Sequence, residues 1–122
     1  MKLHQSQYPG QNLFTSYGEG YVMVNQQRFE KTVIVLPNQL IDDWAPRNLE
    51  QMTEADFAFL AALDAEIILF GTGSVLRFPH PRLTAPIAAR RIGFEVMDTY
   101  AAARTYNILM GEGRRVAAAL LL

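Results

Sequence analysis

The chain has 122 residues, half of them apolar and 19% charged, with a net charge of −1. This length and composition predict a single domain over residues 1–122, with a flexible segment at residues 1–12. The absence of cysteine excludes disulfides, thiolate zinc sites and cysteine nucleophiles. With His4 and His80 as the only histidines, we predict no catalytic residues, no metal ligands and no cofactor.

The N-terminus lacks the apolar core of a signal peptide. The longest apolar run, at residues 116–122, is much shorter than the roughly 20 residues of a membrane helix. We therefore predict a cytoplasmic protein without a membrane span, of bacterial origin rather than a mitochondrial precursor.

Charge is distributed unevenly along the chain. Residues 1–66 hold four basic and nine acidic side chains, whereas residues 67–122 hold seven and three. The seven are all arginines, which pair with internal carboxylates or form a site for an anion or an acidic partner. Because the arginines are scattered and the pI is near 6.1, we expect no nucleic acid binding.

The first half of the chain predicts antiparallel β-structure followed by a helix. Short apolar runs at residues 13–16 and 21–25 flank a glycine-containing turn at residues 17–20. A second turn over residues 25–28 leads into a β-branched strand over residues 29–36.

The next segment predicts an exposed loop and the first helix. Residues 42–46 form the loop, with Trp44 as an anchored aromatic. Thr53 is placed to cap the helix that follows, and Phe57 and Phe59 are expected on its apolar face.

The second half alternates strands and helices. We predict a strand over residues 66–70, a helix from Thr84 to a stop at Gly93, and a strand over residues 94–97. Asp98 or Thr99 then caps a helix that ends near residue 110, and the last strand covers residues 115–121. This order predicts a layered α/β domain with a mixed β-sheet, N-terminal antiparallel strands and a C-terminal β-α-β-α-β unit.

Three short patterns lie in this second half. They are Gly-x-Glu-x-Met-x-Thr at residues 93–99, Ala-x-Arg-Thr-Tyr-Asn-x-Leu at residues 102–109 and Glu-Gly-Arg at residues 112–114. With Gly-Thr-Gly at residues 71–73, the sequence resembles a small family of undefined biochemistry. That family includes a mitochondrial assembly factor of respiratory complex I (NADH:ubiquinone oxidoreductase) and a cytosolic animal relative linked to adipogenesis. The resemblance covers most of the chain from about Gly20 and implies a layered α/β fold and an accessory role.

A candidate site surrounds the Gly-Thr-Gly loop, where backbone N–H groups could hold an anion. Leu76 stands where a dinucleotide fingerprint has its third glycine, so that motif is excluded. Tyr100, Arg104 and Asn107 share one face of the last helix. We predict a polar cleft for a carboxylate, a phosphate or an acidic peptide, formed by Gly71, Thr72, Gly73, Ser74, Arg77, Asp98, Thr99, Arg104 and Asn107.

These residues also have an architectural interpretation. The glycines allow a tight turn, Asp98 and Thr99 are good helix caps, Asp98 could pair with Arg104, and Asn107 could satisfy backbone groups. The sequence leaves this alternative open.

Two functions follow from the sequence, and no set of residues indicates a catalyst. The first is a non-catalytic accessory protein that binds a protein partner and assists the assembly of respiratory complexes or membrane proteins. It predicts an exposed apolar patch near Trp44 or at a sheet edge, where a dimer could also form. The second is a small-anion-binding protein or enzyme that uses Arg77 and Arg104.

Overall fold

The computed structural model describes residues 10–122. The predicted flexible segment lies outside these residues except at its end, where Asn12 is fixed rather than free. The Asn12 backbone N–H donates to the carbonyl of Pro37, and its side-chain amide donates to the carbonyl of Leu36 at 2.8 Å.

Residues 10–122 form two β-sheets. The smaller is an antiparallel sheet in sequence order, formed by β1 (Phe14–Gly18), β2 (Tyr21–Val24) and β3 (Gln27–Phe29). The larger has the order β5-β4-β8-β6-β7. Its strands are β4 (Val33–Leu36), β5 (Gln39–Ile41), β6 (Ile67–Thr72), β7 (Gly93–Met97) and β8 (Val116–Leu121). In this sheet β6 is parallel to β7 and β8, whereas β4 is antiparallel to β5 and β8.

In the described part of the chain, three α-helices and one 3-10 turn connect the strands. They are the turn Leu49–Gln51, α1 (Glu54–Ala61), α2 (Pro81–Ala89) and α3 (Thr99–Gly111). The arrangement confirms the predicted α/β fold with a mixed sheet, antiparallel N-terminal strands and a C-terminal β-α-β-α-β order.

The larger sheet separates two apolar cores. On one face, Val116 and Leu120 of β8 lie in a core with Phe14 of β1 and Tyr106 of α3. On the other face, the alternate residues of β8 lie in a core with Phe57 and Leu60 of α1 and Ile87 of α2. Because β8 is covered on both faces, all six of its residues are buried, as expected for a central strand with an unbroken apolar sequence.

Several predicted boundaries were wrong in the first half. Tyr17 and Gly18 belong to β1 rather than to a turn, and Gln27 and Arg28 begin β3. The single strand predicted over residues 29–36 is interrupted at residues 30–32. Phe59 is 44% exposed rather than part of the apolar face.

The second helix also starts earlier than predicted. Nδ1 of His80 accepts a hydrogen bond from the backbone N–H of Arg82 at 3.0 Å and caps α2, and Pro81 occupies its first turn. Proline is tolerated there because a first-turn N–H has no partner within the helix. Gly93 does not stop α2, which ends at Ala89; it begins β7 instead.

Candidate functional site

Thr99 joins the end of β6 to the beginning of α3. Its fully buried hydroxyl donates to the carbonyl of Leu121 at 2.6 Å and accepts from the backbone N–H of Gly73 at 2.8 Å. The backbone N–H of Thr99 donates to the carbonyl of Gly73, also at 2.8 Å. One side chain therefore ties the start of a helix to the ends of two neighbouring strands.

The two glycines of this junction are required by geometry. Gly71 lies inside β6, where a Cβ atom would come within 2.8 Å of the Thr99 Cα. Gly73 has a φ of +91°, a conformation that glycine adopts without steric cost. Close packing against Thr99 thus explains Gly71, and the positive φ of the turn after β6 explains Gly73.

Thr72 shapes the segment that follows. Its hydroxyl donates to the carbonyl of Val75 at 2.8 Å and accepts from the backbone N–H of Arg77 at 3.1 Å. The Arg77 guanidinium pairs with Glu50 of the 3-10 turn. The hydrogen bond from Arg77 lowers the pKa of the Glu50 carboxyl below its usual value. This segment is therefore anchored by its backbone and by one ion pair.

The remaining predicted residues bond within the fold. Asp98 caps α3, because its Oδ1 accepts from the backbone N–H groups of Tyr100 at 3.1 Å and Ala101 at 2.9 Å. The side chain of Asn107 donates to the carbonyl of Phe14 at 2.7 Å and accepts from the N–H of the same residue at 3.0 Å. Asn107 thus holds β1 against α3.

Arg104 reaches β1 rather than Asp98. Its Nη1 donates to the hydroxyl of Tyr17 at 2.6 Å, and its guanidinium carbon lies 5.7 Å from the centre of that ring. The structure therefore gathers six of the predicted residues at one strand–helix junction and directs the other three side chains elsewhere. The six are Gly71, Thr72, Gly73, Ser74, Asp98 and Thr99. Arg77 points to the 3-10 turn, whereas Arg104 and Asn107 point to β1.

A cleft of about 590 Å³ opens beside this junction, which we call the hairpin cleft. It is lined by Tyr17, Gly18, Glu19, Gly20, Gly73, Ser74, Tyr100 and Leu122. The rings of Tyr17 and Tyr100 stack at 5.2 Å, and the hydroxyl of Tyr100 accepts from the N–H of Gly20 at 3.0 Å. The lining is aromatic and glycine-rich, with the carboxylate of Glu19 as its charged group.

Sequence reasoning missed the β1–β2 wall of this cleft. Residues 17–20 were interpreted only as a turn, and no local pattern shows that this turn packs against α3. The spacing of Tyr100 and Arg104 on one helix face was the signal that could have indicated it, because both side chains contact this hairpin.

An exposed apolar surface lies next to the cleft. We call residues 75–78 the apolar loop; its three apolar side chains are exposed by 63% (Val75), 48% (Leu76) and 72% (Phe78). The predicted patch near Trp44 was wrong, because Trp44 is only 7% exposed and packs in the core with α1.

Residues 10–122 contain no group of three or more histidine, aspartate or glutamate side chains that could hold a metal ion. Within the same residues, none of the helices has the length and apolar character needed to cross a bilayer.

Comparison with known proteins decides the family. The family described as protein of unknown function (DUF498/DUF598) matches residues 14–121. The chain belongs to this family. This DUF498/DUF598 chain is 31% identical to mouse NADH dehydrogenase (ubiquinone) 1 alpha subcomplex assembly factor 3, and the match covers 99% of the residues of this chain. The chain spans 66% of the length of that relative.

Solved structures confirm the fold of this DUF498/DUF598 chain. A crystal structure of a Bordetella parapertussis protein superposes with a TM-score of 0.85 at 41% identity, covering 92% of this chain and 96% of the other. The solution structure of a Bordetella pertussis protein, described as a Mth938-like domain, gives 0.79 at 37% identity, with 99% and 92% covered. The mixed α/β architecture is therefore that of the Mth938-like domains.

Proposed function

We propose that this chain is a non-catalytic accessory protein that binds a protein partner during assembly of a respiratory complex. The mouse relative, whose name is that of an NADH dehydrogenase assembly factor, supports this role. The DUF498/DUF598 family model matches residues 14–121, so the similarity to the family covers nearly the whole chain.

The hairpin cleft is the observation that carries the proposal. The polar groups of the neighbouring junction are bonded within the fold, as shown by Thr72, Asp98 and Thr99. The cleft beside them is instead formed largely by tyrosines and glycines. Tyrosine offers a large apolar ring and a polar tip, and it is enriched in protein interfaces for that reason.

The alternative is a small-anion-binding protein or enzyme that uses Arg77 and Arg104. The guanidinium groups of these residues lie against Glu50 and Tyr17, and neither arginine lines the hairpin cleft. Glu19 is the acidic residue of the lining, and its negative charge disfavours an anion there. The arrangement therefore favours a protein partner over a small anion.

The test is a pull-down of the tagged protein from its own host, with proteins and small molecules both identified by mass spectrometry. Ser74→Trp fills the cleft, and Gln26→Trp adds the same ring at an exposed turn on the far end of the β1–β2 hairpin. We expect the wild type and Gln26→Trp to recover subunits of a membrane complex, with recovery about tenfold lower for Ser74→Trp.

Two outcomes of this pull-down would overturn the proposal. If Ser74→Trp and Gln26→Trp recover these subunits equally, the hairpin cleft is not the surface that contacts the partner. A small anionic molecule that is lost in Arg104→Ala, with no protein partner, would support the alternative. Fractionation of the same host tests the predicted cytoplasmic location, which stays a prediction.

A further inference from the structure

The apolar loop lies in a stretch of chain with charge of one sign. Between Glu66 and Glu95 the sequence contains no aspartate or glutamate. The same stretch contains Arg77, Arg82, Arg90 and Arg91. Apolar side chains and basic side chains therefore occur together on the loop and on α2, the helix that follows it.

The apolar residues are displayed by an anchored backbone. The Thr72 hydroxyl bonds to both the Val75 carbonyl and the Arg77 N–H, and the Arg77 side chain is held by Glu50. Val75, Leu76 and Phe78 nevertheless face solvent, with Phe78 the most exposed large apolar residue of residues 10–122. Adjacent exposed apolar side chains of this kind mark a contact surface.

The arginines differ in how much charge they leave for a partner. Arg77 is neutralised by its pair with Glu50. Arg82 is exposed in the first turn of α2, beside the apolar loop, and has no ion pair among those of the described residues. Arg90 lies about 12 Å along α2 from Arg82, at 1.5 Å per residue, and its Nη1 donates to the carbonyl of Ala61 at 2.9 Å. Arg91, the next residue, is exposed and has no ion pair among those of the described residues.

We propose that the apolar loop and α2 form a contact surface for an anionic lipid bilayer. Val75, Leu76 and Phe78 enter the interfacial layer, and Arg82 and Arg91 interact with the headgroups. Apolar insertion combined with attraction to anionic lipid is how peripheral proteins bind a membrane. The positive charge favours this occupant over an uncharged apolar protein surface, and the inference does not depend on the partner proposed for the hairpin cleft.

The test measures cosedimentation of the full chain with vesicles. One set contains phosphatidylcholine and phosphatidylglycerol in equal parts, and the other contains phosphatidylcholine alone. We expect the wild type to bind the anionic vesicles at least about tenfold more strongly, because each arginine near the surface contributes about fivefold. The binding should weaken as salt is raised, since salt screens exposed charges.

Three variants locate the contact. Phe78→Ser should reduce the partition coefficient about tenfold, because it removes a large apolar side chain from the interface. Arg82→Gln should reduce it about fivefold. Ile108→Ser is the matched control: it removes a side chain of similar exposure, 62%, from α3, nine residues beyond the junction at Thr99, and it should leave binding unchanged. Circular dichroism confirms that each variant is folded.

Three results would overturn the inference. The first is a wild-type chain that stays in the supernatant with anionic vesicles. The second is a Phe78→Ser variant that binds as well as Ile108→Ser. The third combines two measurements: the wild type binds no lipid in cosedimentation, and Phe78→Ser loses a protein that the wild type captures in the pull-down. That result would make the apolar loop a contact surface for a protein. Because Ser74→Trp and Phe78→Ser are assessed by different measurements, failure of the membrane contact is distinguishable from failure of the cleft.

Discussion

The β6–α3 junction differs from the apolar loop in burial and in hydrogen bonding, although the loop directly follows the β6 side of the junction in sequence. At the junction, Gly71, Thr72 and Thr99 are buried, and both threonine hydroxyls have hydrogen-bond partners. In the apolar loop, Val75 and Phe78 expose well over half of their side-chain surface. A few residues thus separate a region organised by internal bonds from one that presents apolar groups to solvent.

This difference shows that the recognisable sequence pattern and the surface available for binding are not the same residues. The Gly-Thr-Gly and Thr99 positions of the pattern are accounted for by close approach and by buried hydrogen bonds. The apolar loop lies outside those patterns, and its exposed side chains contribute little to the packing of the core. Substitutions at the junction should therefore affect stability, and those in the loop should affect binding.

The largest expected effect is that of Thr99→Val. The change keeps the shape of the side chain but removes the hydroxyl that bonds to the half-buried Gly73 N–H and to the buried Leu121 carbonyl. Each unsatisfied buried group costs about 1–3 kcal/mol, so we expect a loss of about 3 kcal/mol in the free energy of unfolding. Urea unfolding followed by circular dichroism measures it.

Two controls sharpen this comparison. Thr99→Ser keeps the hydroxyl and should recover most of the loss, because only a methyl group is removed, at about 1 kcal/mol. Ser74→Ala, at an exposed position of the same junction, should change stability by less than about 0.5 kcal/mol. A Thr99→Val protein as stable as Ser74→Ala would show that the junction does not depend on this hydroxyl.

Gly71→Ala should have the next largest effect. The added Cβ would lie 2.8 Å from the backbone Cα of Thr99 and the same distance from the Leu120 side chain. Because the Thr99 backbone must shift, we expect a loss of about 2 kcal/mol. Gly111→Ala, near the end of α3 with no atom within 4 Å of the new Cβ, should be neutral or slightly stabilising. Equal melting temperatures for the two variants would contradict the packing argument.

The fold could be predicted because its signals are local. The apolar runs of β6 and β8 and the capping residues Thr53 and Asp98 each define an element without reference to the rest of the chain. The predicted start of α2 at Thr84 was too late, because His80 caps the helix and Pro81 fits its first turn.

The candidate site was harder to predict because its contacts are distant in sequence. Arg104 bonds Tyr17, and Gly20 bonds Tyr100, across separations of 87 and 80 residues. The spacing of Tyr100 and Arg104 places both on one face of α3, but no periodicity shows that this face lies against the β1–β2 hairpin, so the partner of Arg104 could not be named. The exposure of the apolar loop was equally hidden, because an apolar run beside a buried strand has the composition of core.

The smallest of these effects tests a tyrosine that is buried, like the junction, rather than exposed, like the apolar loop. Tyr106 is fully buried in α3, and its hydroxyl donates to the carbonyl of Asn12 at 2.9 Å. Burial raises the pKa of the Tyr106 phenol well above its usual value near 10. Above that pH the unfolded chain has lost a proton that the folded chain retains, so the free energy of unfolding falls as pH rises. The expected loss is about 1.4 kcal/mol at pH 11. Urea unfolding between about pH 9 and pH 11 measures this slope, which should be shallower in Tyr106→Phe. An identical slope in the two proteins would show that the Tyr106 phenol ionises as readily in the folded chain as in the unfolded chain. That result would contradict the effect of its burial.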